Sequence, residues 1–140
     1  MHRTISTGAL AAILVILFAY TAFSKLLDVE TFSDQMRNQP LPSSVTAALV
    51  WIVPTAELVA VVLLIVERLR RFGFLLSFLI LLTFSVYTGL VLARRFAFIP
   101  CSCGGIFRTL SWEAHLIVNV ISMLIAFTGW LILRSTPKHH

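Results

Sequence analysis

Four long apolar runs, separated by short polar segments, dominate the pattern of the chain. They cover approximately residues 5–24, 45–66, 72–92 and 114–133. A helix needs about 20 residues to cross the hydrocarbon core of a bilayer, and each run meets that length. The pattern therefore predicts an all-α fold: a four-helix transmembrane bundle, one transmembrane domain over residues 1–140, with both termini on the same side.

Composition and charge agree with this prediction. Hydrophobic residues make up 59% of the chain, charged residues 12%, and the mean hydropathy is +0.95. So few polar side chains cannot cover the surface of a water-soluble protein. The formal net charge of +5 arises from basic residues near the ends of the runs, which favours contact with membrane lipid and argues against a nucleic-acid partner.

Basic residues near the helix ends predict the orientation in the membrane. One side holds both termini and the turn between the second and third runs, with six basic residues: Arg3, Arg68, Arg70, Arg71, Arg134 and Lys138. The other side carries five: Lys25, Arg37, Arg94, Arg95 and Arg108. Because three arginines crowd one short turn, we expect cytoplasmic termini in a bacterial inner membrane. The segment between the third and fourth runs then faces the periplasm or exterior.

That segment contains the two cysteines of the chain, Cys101 and Cys103, separated by one residue. A disulfide needs Cα atoms about 4.4–6.8 Å apart, which neighbours at this spacing reach only in a tightly curled backbone. Gly104 and Gly105 allow such a turn, and Pro100 restricts the backbone before it. A strained disulfide is labile and oxidising, so the pair is predicted to be redox-active.

Three flanking arginines, Arg94, Arg95 and Arg108, favour the reactive thiolate form of these cysteines. Two other functions stay open. Cys101, Cys103 and a histidine further along the chain, His115, have the ligand types that bind Cu(I) or zinc, although no fourth ligand or methionine cluster is evident. Alternatively, the bundle is a scaffold for a redox complex and its cysteines carry out no chemistry.

Glu57 is the most costly polar residue inside an apolar run, because a carboxylate in lipid needs a partner or a cavity. It follows Pro54, which lacks an N–H and can bend the second helix. Lys25, at the end of the first helix, is the expected counter-ion. The pair has two interpretations: an ion pair that fixes helix packing, or a proton relay.

The fourth run begins with polar residues spaced at intervals of four. Ser111, His115 and Asn119 share one helical face. Ser111 is predicted to cap the helix, and Asn119 to hydrogen-bond a neighbouring helix. His115 is a candidate catalytic residue that exchanges a proton during thiol chemistry or hydrogen-bonds a quinone carbonyl. The alternative is a histidine whose hydrogen bonds are satisfied by a neighbouring helix.

These residues resemble the DoxX/MauE-like four-helix membrane proteins, and the resemblance spans nearly the whole chain. The first half carries residues 20–28 (YTAFSKLLD), Phe32 and residues 54–58 (PTAEL), similar to the Lys-Leu-x-Asp and Pro-x-x-Glu-Leu segments of that family. The second half carries residues 100–105 (PCSCGG), 111–112 (SW) and 115–119 (HLIVN), similar to the MauE-type redox branch.

The resemblance implies a helper of disulfide formation or thiol transfer in the cell envelope, acting with a thioredoxin-like or other envelope thiol protein. Cys101 and Cys103 would carry the redox step. In the DoxX relatives it also implies a link to quinone reduction. The sequence has no flavin, haem or dinucleotide motif, so a membrane quinone is the expected electron acceptor and no metal is expected. Quinone-linked disulfide generators commonly use two cysteine pairs, and this chain has one.

Overall fold

The computed structural model describes residues 2–96, 98 and 111–135, without the side chain of Arg3. Within these residues the chain forms helices and no strand. A single turn of 3-10 helix, Glu67–Leu69, joins the third and fourth α-helices. The α-helices are α1 (His2–Leu27), α2 (Val29–Arg37), α3 (Ser43–Ile65), α4 (Arg70–Leu92) and α5 (Trp112–Arg134).

Four of these helices, α1, α3, α4 and α5, are long and apolar enough to cross a membrane. Large apolar side chains lie on their outer surfaces, such as Ile16, which is 71% exposed. Such exposure suits lipid as the surrounding solvent. The predicted all-α bundle with four spanning helices is confirmed, while the side on which the termini lie stays a prediction.

The four spanning helices form a ring in the order α1, α3, α4, α5. Contacts are most extensive between α4 and α5 and between α1 and α3, and α1 closes the ring against α5. The core includes Leu14 and Phe18 from α1, Leu64 from α3 and Phe74 from α4. We call the end of the bundle at which α1 and α4 end and α3 and α5 begin the α2 end.

The chain between α1 and α3, which the sequence predicts only as a connection, contains the short amphipathic helix α2. The Asp28 carboxylate caps it by accepting a hydrogen bond from the Thr31 backbone N–H, at 3.1 Å. Phe32 and Met36, one turn apart, are buried in a cluster with Val50 of α3. The connection between α1 and α3 is therefore packed onto the bundle.

Close helix contact depends on Gly73, near the start of α4. A Cβ added there would lie 2.7 Å from the Leu64 backbone nitrogen and 2.9 Å from the Leu63 carbonyl carbon. Gly89, on the same helix, has no atom within 4 Å of the corresponding position. Small residues at helix interfaces let backbones approach in membrane proteins, and Gly73 has that role between α3 and α4.

We expect Gly73→Ala to destabilise the bundle by about 1–3 kcal/mol, because the new methyl group meets backbone that cannot rotate away. Gly89→Ala is the matched control on α4 and should be neutral or slightly stabilising, since alanine is the better helix former. Denaturant unfolding of both variants in detergent measures the difference. Equal stabilities of the two variants would contradict the assigned contact.

Candidate functional site

Lys25 and Glu57 form an ion pair between α1 and α3. The Lys25 Nζ lies 2.9 Å from Glu57 Oε1 and 3.1 Å from Oε2, and it donates a further hydrogen bond to the Thr21 carbonyl oxygen at 3.2 Å. Pro54, also buried, lies nearly one turn before Glu57 on α3. The structure thus brings together the two charged side chains that the sequence pairs.

Both charged side chains are almost completely buried. The Glu57 side chain is 2% exposed and that of Lys25 is 10% exposed. The Lys25 ammonium also lies 5.8 Å from the centre of the Phe32 ring of α2, within the range of a cation–π contact. Buried ions are tolerated when each is paired and hydrogen-bonded, and both conditions hold here.

The pair borders a cavity of about 340 Å³ in the α2 half of the bundle. All five α-helices contribute to its walls, which are mostly apolar. Its polar lining comes from Thr21, Lys25, Gln39, Glu57, Thr83, Tyr87, Thr88, His115 and Asn119. Its aromatic lining comes from Phe18, Phe32, Phe84 and Trp112.

Two of the three residues predicted on the polar face of α5 lie in this cavity, namely His115 and Asn119. Ser111 instead caps the helix, because its hydroxyl oxygen accepts a hydrogen bond from the Ala114 backbone N–H at 3.2 Å. The rings of His115 and Trp112 are 6.1 Å apart, centre to centre. The structure therefore unites His115, Asn119, Lys25 and Glu57 around one space.

Cys101 and Cys103, with the predicted turn residues Pro100, Gly104 and Gly105, lie outside the described residues. The helices on either side of this segment lead directly to the cavity. Thr88 lies in the last two turns of α4 and Trp112 is the first residue of α5, and both line it. The cysteine segment is therefore joined through the chain, by the end of α4 and the start of α5, to the α2 end of the bundle.

Comparison with known families supports the resemblance in the sequence. The model of the family described as methylamine utilisation protein MauE matches residues 3–132. The chain belongs to the MauE family. No curated protein and no solved structure matches it. Membership in the MauE family and the four apolar helices together identify a multi-pass membrane protein, and the family description associates it with methylamine utilisation.

Sequence reasoning missed a polar contact between two residues that line the cavity of this MauE-family chain. The Tyr87 hydroxyl donates a hydrogen bond to Gln39 Oε1, and Gln39 Nε2 donates to the Gln35 carbonyl oxygen at 3.1 Å. The Tyr87 ring also lies 6.5 Å from that of Trp112. In the sequence pattern, Tyr87 cannot be told apart from an aromatic residue that lies at the membrane interface. The pattern therefore did not identify its contact with Gln39.

The wall formed by α2 was also missed, although its signal is present in the MauE-family sequence. Asp28 is a favoured N-cap residue, and Phe32 and Met36 follow at the spacing of one helical face. That face supplies Phe32 and Met36 to the cavity. A search for short amphipathic segments between apolar runs would have found it.

The combined arrangement can bind a compact, mostly apolar ligand and contact it with a few polar groups. Pockets of this kind use apolar walls for affinity and isolated hydrogen-bonding groups for orientation. Tyr87, His115 and Asn119 supply hydrogen-bonding groups, while Lys25 and Glu57 supply charge. Ionisable residues inside a membrane bundle are candidates for functional groups in themselves.

We expect Lys25→Gln to cost about 3–5 kcal/mol of stability, because it leaves the Glu57 carboxylate buried without a cation. The double variant Lys25→Gln with Glu57→Gln should regain most of that loss, since no unpaired charge remains. Denaturant unfolding of Lys25→Gln, Glu57→Gln and the double variant in detergent gives the coupling free energy.

The control is the exposed ion pair between Arg37 and Asp34, whose side chains are 74% and 62% exposed. Arg37→Gln should change the free energy of unfolding by about 0.5 kcal/mol or less. A Lys25→Gln variant no less stable than Arg37→Gln would contradict a buried pair.

Proposed function

We propose that this MauE-family protein is a membrane thiol–disulfide oxidoreductase, or an accessory subunit of one, in the bacterial inner membrane. Cys101 and Cys103 form its redox pair. One sulfur forms a mixed disulfide with an envelope thiol protein of thioredoxin-like type, and the other resolves it. In the oxidising direction, the disulfide of the pair becomes two thiols while two thiols of the partner become a disulfide, so electrons and protons balance.

The observation that carries this proposal is the cavity at the α2 end, next to the attachment points of the cysteine segment. Polar and ionisable side chains from α1, α3, α4 and α5 converge there, although the surrounding walls are apolar. A scaffold without chemistry has no need of such a site within the membrane, where each polar group is costly.

Reoxidation of the cysteine pair requires an electron acceptor, and we propose a membrane quinone as that substrate. The cavity volume of about 340 Å³ is at the lower end of the range for small-molecule sites, enough for a compact ring. Phe18, Phe84 and Trp112 provide flat apolar surfaces, and Tyr87 and His115 provide polar groups for ring oxygens. The residues present therefore fit a quinone ring.

The orientation proposed for the protein places the α2 end toward the periplasm or exterior. Lys25 lies in the bundle as the partner of Glu57 and is not a loop cation. Without it, four basic residues remain on the side of α2, against six on the opposite side. The larger excess favours cytoplasmic termini under the positive-inside rule. An exterior cysteine segment would meet the compartment in which disulfides persist.

We expect a Cys101→Ser or a Cys103→Ser variant to accumulate a covalent complex with a thioredoxin-like protein. Removing the resolving sulfur leaves the mixed disulfide without an intramolecular route to release. Non-reducing electrophoresis followed by mass spectrometry of the complex identifies both the partner and the attacking cysteine. The variant lacking both cysteines is the control and should form no complex.

The alternatives give different results in the same preparation. Stoichiometric copper or zinc in the purified protein, lost in the variant without cysteines, would favour metal handling. Thiols that alkylate no faster at neutral pH than free cysteine, and that trap no protein, would favour a scaffold. Either outcome would contradict the oxidoreductase proposal.

A short-chain quinone should quench the fluorescence of Trp112 saturably, because Trp112 alone of the three tryptophans is among the residues that line the cavity. Trp112→Phe should abolish the saturable part of the quenching. Trp130→Phe is the matched control and should retain it, since Trp130 packs against Phe127 at 6.0 Å elsewhere in the bundle. Quenching that rises linearly and is equal in both variants would mean that the quinone only dissolves in the detergent.

A further inference from the structure

We propose that Glu57, held by Lys25, is the proton-exchanging group of the cavity: it takes up protons released by the thiols and passes them to the reduced electron acceptor. The inference rests on the proposed function, because it concerns the protons of that redox reaction. It assigns a chemical role to the ion pair, which the proposed function leaves unused.

The position of the pair supports this role. Lys25 and Glu57 are not sealed between two helices, since both contribute to the wall of the cavity. A ligand or solvent within that space can therefore contact the carboxylate. The Glu57 side chain is nevertheless only 2% exposed. Such a group exchanges protons with the cavity and is shielded from bulk water.

The other ionisable groups of the cavity come from two helices. Tyr87 of α4 and His115 of α5 line it together with Lys25 of α1 and Glu57 of α3. The cavity residues of α2, Phe32 and Met36, do not ionise. His115 begins the path, because it lies one turn from the start of α5, where the chain arrives from the cysteine segment. Glu57 lies deeper in the bundle, near the middle of α3.

A purely structural role explains the pair less well. Apolar residues of similar volume often stabilise a protein as well as, or better than, a buried ion pair. The free-energy cost of burying charged side chains is greater still inside a membrane. Leu14 and Phe18 of α1 already share an apolar core cluster with Leu64 of α3, so these two helices have packing that does not involve the ion pair. The ion pair is therefore retained at a cost that packing does not require.

The proton and electron count is complete without solvent. Oxidation of the Cys101 and Cys103 thiols forms one S–S bond and releases two protons and two electrons. The quinone accepts both electrons, and its two oxygens accept both protons. Each proton passes in turn through Glu57. While Glu57 is protonated, Lys25 is an unbalanced cation, and its charge stabilises the negative charge that develops on the acceptor.

The double variant Lys25→Gln with Glu57→Gln tests the role, because it removes the charges without leaving one unpaired. We expect it to exchange thiols with the trapped partner at the rate of the unaltered protein. Reduction of a short-chain quinone by dithiothreitol through the protein should fall by about 10²-fold, the usual contribution of general acid–base catalysis. The plot of the quinone-reduction rate against pH should lose one of its limbs.

Glu67→Gln is the matched control, since Glu67 is exposed in the turn at the opposite end of the bundle. It should leave both rates unchanged. Quinone reduction by the double variant at the control rate, with the same pH profile, would overturn the proton role and leave the thiol chemistry intact. An unaltered protein that exchanges thiols without reducing quinone would overturn it as well. Failure of thiol exchange in the unaltered protein would instead reject the proposed function.

Infrared difference spectroscopy tests the same role in the unaltered protein, so the result does not depend on whether the double variant folds. Reduction of the unaltered protein with dithiothreitol, followed by oxidation with a short-chain quinone, should reveal a transient protonated-carboxyl band. Glu57→Asp keeps a carboxyl group and should shift that band, with partial retention of quinone reduction. A spectrum without a carboxyl band, or with one that Glu57→Asp does not move, would overturn the inference.

Discussion

The contact between Lys25 and Glu57 is the constraint on which the α2 half of the bundle depends. A carboxylate at the middle of an apolar helix must face a cation or a cavity, and here it faces both. The Lys25 ammonium is anchored by the Thr21 carbonyl oxygen as well as by Glu57, so its position relative to α1 is set. The ion pair thus fixes the carboxylate and the ammonium beside the cavity, and α2 packs over the ammonium through Phe32.

Hydropathy predicted most of the fold, because lipid imposes one rule on every spanning segment. Apolar length was enough to locate α1, α3, α4 and α5, with helix ends that lie within three residues of the predicted ones. The pairing of Lys25 with Glu57 followed from the cost of isolated charges. The helix α2 did not follow, because its nine residues fall below the length that a hydropathy pattern detects. Its amphipathic spacing becomes meaningful only when the bundle supplies a surface for Phe32 and Met36.

The candidate site was predictable only in part, since a sequence gives helical faces but not which faces meet. His115 and Asn119 were assigned to one face of α5, and the structure shows that this face opens on the same cavity as Glu57. Tyr87 and Gln39 are 48 residues apart, and no local pattern links them. Their contact arises because α2 returns the chain toward the end of α4. Contacts between residues that are far apart in the sequence depend on the packing order of the helices, which hydropathy does not encode.

Pro54 lies between two parts of α3 that have different roles in the bundle. Proline cannot donate a backbone hydrogen bond, and its ring displaces the preceding turn of the helix. Val50, four residues earlier, packs on the α2 cluster, while Glu57, three residues later, faces Lys25. Pro54 therefore separates the part of α3 that supports α2 from the part that supplies charge.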